Sequence, residues 1–101
     1  MSSVRQQVDE FPCQGTSGPF AVSKANAIYG TEKVEVVVRD RHQPGVILAT
    51  TILRRSVDYE FDPYSGRVLL MQAPTSVDFD GNPQSLRVTY ETDADAGKSA
   101  F

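Results

Sequence analysis

The sequence predicts an all-β fold, a β-sandwich or an open β-barrel of about six or seven mostly antiparallel strands. Short runs in which apolar and polar residues alternate recur along the chain, and this period of two is typical of half-buried strands. Residues that form turns separate these runs at intervals of about ten residues. No segment of about eight residues or more combines apolar positions at helical spacing with capping signals. Strands without helices therefore account for the pattern.

The clearest element is a β-hairpin over residues 57–71. On its first strand Val57, Tyr59 and Phe61 point one way, and Asp58, Glu60 and Asp62 point the other way. Pro63 favours a turn, and Gly66 tolerates the positive φ of a short hairpin loop. The returning run, from Arg67 to Met71, is apolar after its charged first residue. We expect this hairpin to be the stability centre, with Tyr59 and Phe61 buried.

Four more strands are expected along the chain, and one of them is unusual. Residues 46–53 are apolar on both faces, which predicts a strand covered on both sides, or one whose outer face is shielded by the N-terminal arm. The loop at 24–31 is expected to tuck Ile28 and Tyr29 against the core. The other expected strands alternate more regularly and span residues 20–23, 32–39 and 85–92.

The domain organisation follows from where these patterns begin and end. Residues 1–17 are mostly polar and are interrupted by Pro12 and Gly15, so they predict an N-terminal arm or linker. Residues 18–92 form the β-sandwich domain, and residues 93–101 form a tail or a linker to a following module. We expect residues 1–12 and 94–101 to be mobile in solution, or to be ordered only by contact with another molecule. The isolated domain is expected to be monomeric, because its outer strand faces carry charges of mixed sign.

Composition excludes several classes of partner. The chain has 101 residues, a net charge of −3 and 23% charged residues, which suits one folded domain. A net negative charge disfavours nucleic acid and anionic membranes as partners. No apolar run approaches the roughly 18 residues of a membrane span, so membrane insertion is not expected. The first residues lack the apolar core of a signal peptide, and we expect that Met1 is not the natural start.

Several motifs together resemble a known kind of module. The hairpin fits the pattern DY-x-[IF]-D-x-x-x-G-[RT]-[IVL], and the last strand fits V-x-Y-E. This series, over about residues 15–92, is similar to the repeated β-rich modules of very large bacterial cell-surface and outer-membrane-associated proteins. The resemblance implies an immunoglobulin-like sandwich, a bacterial cell-envelope location, a longer parent chain, and no catalytic residues. It is carried by residues 15–20, 30–34, 39–41, 58–62, 66–68 and 88–91.

One loop has the composition of a calcium site. Asp78, Asp80 and Asn82 place oxygen ligands at alternate positions, and Gly81 permits a tight turn. Thr89 occupies the twelfth position from Asp78, where a calcium loop of the EF-hand type needs glutamate. Asp, Gly and Asn are also common turn formers. The sequence therefore favours a turn over a calcium site. Asp78, Asp80 and Asn82 are the candidates for metal ligands, and no cofactor is expected.

The remaining candidates for chemistry favour structural roles. The acids of the hairpin lie near Arg54, Arg55 and Arg67, which predicts ion pairs across strands. Tyr59 and Tyr90 fall on the core-facing phase. Tyr64 at the hairpin tip is expected to be exposed, which makes it the candidate for interaction.

No catalytic residues are predicted. A nucleophilic cysteine needs a base, and Cys13 and the only histidine, His42, lie on different predicted loops. The sequence therefore favours a non-enzymatic module that acts as a structural spacer or a protein-interaction unit, with neighbouring domains or other envelope proteins as partners. The alternative is a carbohydrate-binding or calcium-dependent adhesive module of the same fold class.

Overall fold

The protein is an open β-sandwich of two antiparallel sheets, as seen in a computed structural model that describes residues 4–24 and 26–93. No helix occurs in these ranges, and so none that could cross a membrane. The larger sheet has the order β1-β7-β3-β4, and the smaller sheet has the order β2-β6-β5. The all-β fold expected from the sequence is confirmed. The strands are β1 Val4–Pro12, β2 Phe20–Ala21, β3 Lys33–Arg39, β4 Ile47–Ile52, β5 Tyr59–Asp62, β6 Arg67–Leu70 and β7 Gln84–Asp93.

The predicted hairpin is formed by β5 and β6. Tyr59 lies opposite Leu70, and Phe61 lies opposite Val68, so the predicted inward phase of the two aromatic residues is confirmed. Gly66 has a φ of 71° and donates its N–H to the carbonyl oxygen of Asp62. The hairpin closes as predicted because glycine adopts this positive φ without steric cost.

Val57 does not belong to the inward row. It lies before β5 in a turn, where the N–H of Asp58 donates to the carbonyl oxygen of Arg54, and its side chain is exposed. Ser56, with a φ of 66°, helps to turn the chain there. The alternation that continued through residue 57 therefore breaks at this turn.

The core fills the space between β5–β6 and the middle of the larger sheet. Tyr90 and Leu86 of β7 are fully buried, and they face the aromatic residues of the hairpin. Because the smaller sheet has only three short strands, it covers β7 and β3 but leaves β4 open to solvent. The buried cluster consists of Ala27, Val34, Tyr59, Phe61, Val68, Leu70, Leu86, Val88 and Tyr90.

The expected N-terminal arm is instead an integral strand. Val4–Pro12 pairs with β7 along its whole length, from Val4 opposite Asp93 to Pro12 opposite Ser85. Glu10 receives two hydrogen bonds from the guanidinium group of Arg39, at 2.7 and 2.8 Å. The expectation was wrong because β1 is an edge strand held by backbone pairing and polar contacts, which leave no apolar alternation in the sequence. Residues 94–101 of the expected C-terminal tail lie outside the described residues.

The strand β4 is exposed, in contrast to the expectation that it would be covered. It forms an edge of the larger sheet, and β1 lies at the opposite edge, so the N-terminal segment cannot shield it. All six residues of β4 are exposed. An apolar run indicates a strand that favours burial, but it does not show whether the covering surface belongs to the same chain.

Truncation of Phe61 tests the hairpin as the stability centre. Phe61 is 7% exposed, and we expect Phe61→Ala to destabilise the protein by about 3–5 kcal/mol, because buried aromatic truncations leave a cavity. Leu69→Ala is the matched control, since Leu69 lies on the same hairpin but is exposed. Thermal or urea unfolding measures both. Equal unfolding midpoints for the two variants would contradict the assigned phase.

Candidate interaction surfaces

The first candidate surface, which we call the β4 edge, comprises residues 46–53. Pro44 and Gly45 precede it, and the run of Ile, Leu and Thr then favours an extended strand. A bulge at Val38/Arg39 marks the start of its pairing with β3. The segment contains no charged residue. Its exposed large apolar side chains are Val46, Ile47, Leu48 and Ile52. Exposed apolar patches on folded domains commonly mark interaction sites.

The outer face of the same sheet is, by contrast, closed by its own charged side chains. Glu35 of β3 is buried beneath Arg87 of β7, with Nε to Oε1 at 3.1 Å, and beside Lys33 at 3.9 Å. Hydrogen bonding by Arg39 is the main cause that lowers the pKa of Glu10. Among the described residues, every buried side-chain nitrogen or oxygen has a hydrogen-bond partner. The charged side chains of these ion pairs therefore have their partners within the three strands β1, β7 and β3.

The second candidate surface, which we call the tyrosine cleft, lies near the end of β7. Tyr64 is 90% exposed, as predicted, and Tyr29 is 73% exposed, which corrects the expectation that Tyr29 packs on the core. The half-buried Ile28 is anchored by its N–H, which donates to the carbonyl oxygen of Glu91. The cleft has a volume of about 270 Å³ and is lined by Asn26, Ala27, Ile28, Tyr29, Pro63 and Tyr64.

A buried carboxylate supports the tyrosine cleft from below. Glu32 accepts a hydrogen bond from the hydroxyl group of Tyr59, with 3.0 Å between the oxygens. It also forms an ion pair with Arg55 at 2.8 Å. The guanidinium carbon of Arg55 lies 4.3 Å from the ring centroid of Tyr29, a cation–π geometry. One face of Tyr29 is therefore covered by Arg55. An aromatic cleft of this kind can stack against the apolar face of a sugar ring.

The loop with the composition of a calcium site is a hydrogen-bonded turn, the alternative that the sequence favours. Oδ1 of Asp78 accepts the backbone N–H groups of Asp80 and Asn82, both at 2.9 Å. These bonds, led by the one from Asn82, lower the pKa of Asp78. Arg41 binds the loop from outside, donating from Nη1 to the carbonyl oxygen of Asp80 and from its N–H to the side chain of Asn82. The described residues contain no group of three or more potential metal-binding side chains.

This turn presents an aromatic residue that sequence reasoning missed. The side chain of Phe79 is fully exposed at the tip, between Asp78 and Asp80. Val77, which precedes the turn, forms an isolated bridge with Pro83. The available signal was an aromatic residue flanked by two turn-forming acids.

The candidates for catalysis have structural surroundings. Cys13 is buried, and this burial raises the pKa of its thiol, which opposes formation of the reactive thiolate. Nε2 of His42 accepts a hydrogen bond from Nε of Arg41 at 3.3 Å. Asp40 Oδ1 accepts the N–H groups of His42 and Gln43, which lower its pKa. His42 is thus part of a capped turn.

The hairpin acids are used differently from the expected ladder of ion pairs. Asp58 pairs with Arg54 at 3.6 Å within one turn. Asp62 accepts hydrogen bonds from Ser65 and from the N–H of Tyr64, which lower its pKa. Arg55 pairs with Glu32 and not with a hairpin acid. Tyr59 and Tyr90 are buried, as their strand phase predicted.

Comparison with known proteins yields no relative. No family model matches the sequence, and no curated protein or solved structure is significantly similar to it.

The buried Tyr59 hydroxyl predicts a loss of stability in alkali. Burial, and then the hydrogen bond to Glu32, raise the pKa of Tyr59 from 10.0 to about 12. A raised pKa means that the folded state holds the proton more tightly, so this contribution is complete below pH 10.0 and is lost as the pH rises through about 12. Between these values, Tyr59→Phe should lose stability less steeply than the unmodified protein. Urea unfolding across this range measures it.

Tyr64→Phe provides the control for this titration. Tyr64 is exposed at the hairpin tip, so its replacement should leave the alkaline slope unchanged. Burial also raises the pKa of Tyr90, which leaves a residual slope in both variants. If Tyr59→Phe and Tyr64→Phe give the same slope as the unmodified protein, ionisation of Tyr59 is not coupled to folding.

Proposed function

We propose that the chain is a non-enzymatic, immunoglobulin-like β-sandwich module of a larger bacterial cell-envelope protein, and that it acts as a protein-interaction unit. The observation that carries the proposal is the exposed, uncharged β4 edge on a sheet whose other strands are tied by ion pairs. The envelope location and the immunoglobulin-like fold rest on the motif resemblance in residues 15–92. The proposed partners are neighbouring domains of the same polypeptide or other envelope proteins.

The positions of Val4 and Asp93, the first and last described residues, favour an interaction unit over a spacer. Val4 and Asp93 are partners across the β1–β7 ladder, and residues paired in this way have Cα atoms only about 4.5–5.5 Å apart. A spacer in an extended array works best with its two ends at opposite poles. Here β1 begins and β7 ends at the same pole, which suits a module that projects from its neighbours as a side branch and offers its flanks to a partner.

The charge distribution supports a protein partner. The net charge of −3 disfavours nucleic acid and anionic membranes. The β4 edge, with Ile47, Leu48 and Ile52 exposed, suits an extended polypeptide, because a strand pairs with both the backbone and the side chains of an open edge. No cofactor is required for this role.

Site-specific cross-linking tests the interaction role. In the full-length protein in its own cells, a photoreactive residue replaces Ile52 on β4. Val8 on β1, which is also an exposed apolar residue on an edge strand, is replaced as the control. We expect cross-linked polypeptide from position 52 and little from position 8. Equal yields at the two positions would overturn the proposed role of the β4 edge, and mass spectrometry of the adduct identifies the partner.

The second candidate function is carbohydrate binding, favoured by the two exposed rings of the tyrosine cleft. The cleft lies at the same pole as Val4 and Asp93, because Ala27 pairs with Thr92 near the end of β7. Neighbouring modules would crowd a ligand there. This placement makes carbohydrate binding the weaker of the two proposals.

A glycan array with and without EDTA tests this second function. If the cleft binds sugars by stacking, Tyr64→Ala should abolish binding and Tyr64→Phe should keep most of it, because the phenylalanine ring preserves the stacking face. EDTA should have no effect, since Asp78 uses Oδ1 to hold its own turn. Binding that survives Tyr64→Ala, or that EDTA removes, would place the site elsewhere.

A further inference from the structure

The four sheet edges of this protein are not equally protected against pairing. The edge strand β1 carries Arg5, Asp9 and Glu10 and ends at Pro12. In the smaller sheet, β2 has 2 residues, and β5 has 4 residues, two of them acids. Charges, proline and short length are the usual devices that prevent edge pairing. The six residues of β4 carry no charge, proline or glycine.

The backbone of β4 offers unpaired groups in a defined pattern. The N–H of Leu53 donates to the carbonyl oxygen of Val34, so Leu53 and Thr51 direct their backbone groups toward β3. Because successive residues in a strand face opposite ways, Thr50 and Ile52 direct their N–H and C=O groups outward. No other strand of the described chain borders this edge. In the free molecule water satisfies these groups, and another extended strand can replace the water with a matching row of donors and acceptors.

We propose that the partner at this edge is the β4 strand of a second copy of the chain, paired antiparallel across a two-fold axis at Thr51. The proposal rests on the proposed interaction role and names the partner. In this register Thr50 and Ile52 each exchange both backbone groups with the other residue in the second copy. Two four-stranded sheets then form one continuous sheet. The partner edge has the matching groups at the matching spacing because it is the same segment, as in isologous interfaces.

The side chains of this register are compatible on both faces. Outside, Thr50 meets Ile52 of the second copy, a pairing of β-branched residues that favours sheets. Inside, Thr51 meets its own counterpart, and Ala49 meets Leu53. Since residues 46–53 are uncharged, no like charges face each other across the two copies in this register. An unrelated strand would have this compatibility only by chance. Charged residues first appear outside this segment, at Arg54 on one side and Arg41 on the other.

The association is expected to be weak for the isolated chain. A contact along one six-residue strand is smaller than the about 800 Å² per partner of a typical stable interface. We therefore expect a dissociation constant of about 0.1–1 mM. The expectation of a monomer, drawn from mixed charges on the outer faces, then holds in dilute solution.

Sedimentation velocity between about 10 µM and about 1 mM protein tests the pairing. The unmodified protein should sediment faster as its concentration rises. Ile52→Lys places a lysine at the centre of the pairing and should weaken association at least about tenfold, a change of about 1.4 kcal/mol. Val8→Lys places the same charge on the exposed outer face of the opposite edge and should associate like the unmodified protein.

Hydrogen exchange of the unmodified protein gives an independent reading of the register. The amides of Thr50 and Ile52 should exchange more slowly at high concentration, whereas the amide of Leu53, bonded to Val34, should be protected at all concentrations. A protein that stays monomeric to about 1 mM overturns the proposal, as does association that Ile52→Lys leaves intact. If the cross-linking at position 52 captures a different polypeptide, the interaction role stands and the second copy is excluded as its partner.

Discussion

The hydroxyl group of Tyr90 is the contact on which the rest of the fold depends. The ring is fully buried in the centre of β7, yet its hydroxyl donates to Asp9 of β1 at 2.8 Å and accepts the N–H of Lys24 at 3.1 Å. Asp9 also accepts the N–H of Ser23. One side chain thus joins β7 and the neighbouring edge strand β1 of the larger sheet to the segment that follows β2 in the smaller sheet. Burial of the Tyr90 ring and pairing of β1 with β7 therefore depend on each other, because the hydroxyl group of the buried ring donates to β1.

This constraint explains why a polar N-terminal segment is ordered. The burial of Asp9 raises its pKa, but the hydrogen bonds from Ser23 and Tyr90 outweigh this and lower it overall. A carboxylate that accepts such bonds remains charged and holds its donors in place. The Glu10–Arg39 pair repeats this arrangement on the outer face, across β7. The strand β1 is therefore positioned by two neighbouring carboxylates that face opposite sides of the sheet.

How far the sequence predicts the fold depends on how local each signal is. The β5–β6 hairpin could be predicted because its alternation, turn residues and partner strand all lie within 15 consecutive residues. The pairing of β1 could not, since Glu10 and Arg39 are separated by 29 positions and Asp9 and Tyr90 by 81. No local period records such contacts. The same limit applied to Tyr29, which follows a loop without a period and is held at its ring face by Arg55.

The candidate surfaces were harder to predict than the core, for a related reason. Tyr64 was identified because a residue at a hairpin tip is exposed wherever the hairpin packs. The apolar β4 was correctly expected to be a strand, but its exposure depends on its position in the sheet order, which is a property of the whole chain. In both cases the residue types were visible in the sequence. The surface that each residue faces in the folded protein was not visible in the sequence.

The sheet order also separates the surfaces along the molecule. Val4 and Asp93 mark one pole, together with the tyrosine cleft, and Gln84 at the start of β7 marks the other. The loop that carries Phe79 precedes Gln84 and is held by hydrogen bonds from Arg41, so an exposed aromatic residue lies at the pole opposite Val4 and Asp93. The β4 edge runs along the flank between the two. Because β4 is the last strand in the sheet order and Phe79 lies on a loop before β7, the exposed strand and the exposed aromatic residue occupy separate surfaces of the described chain.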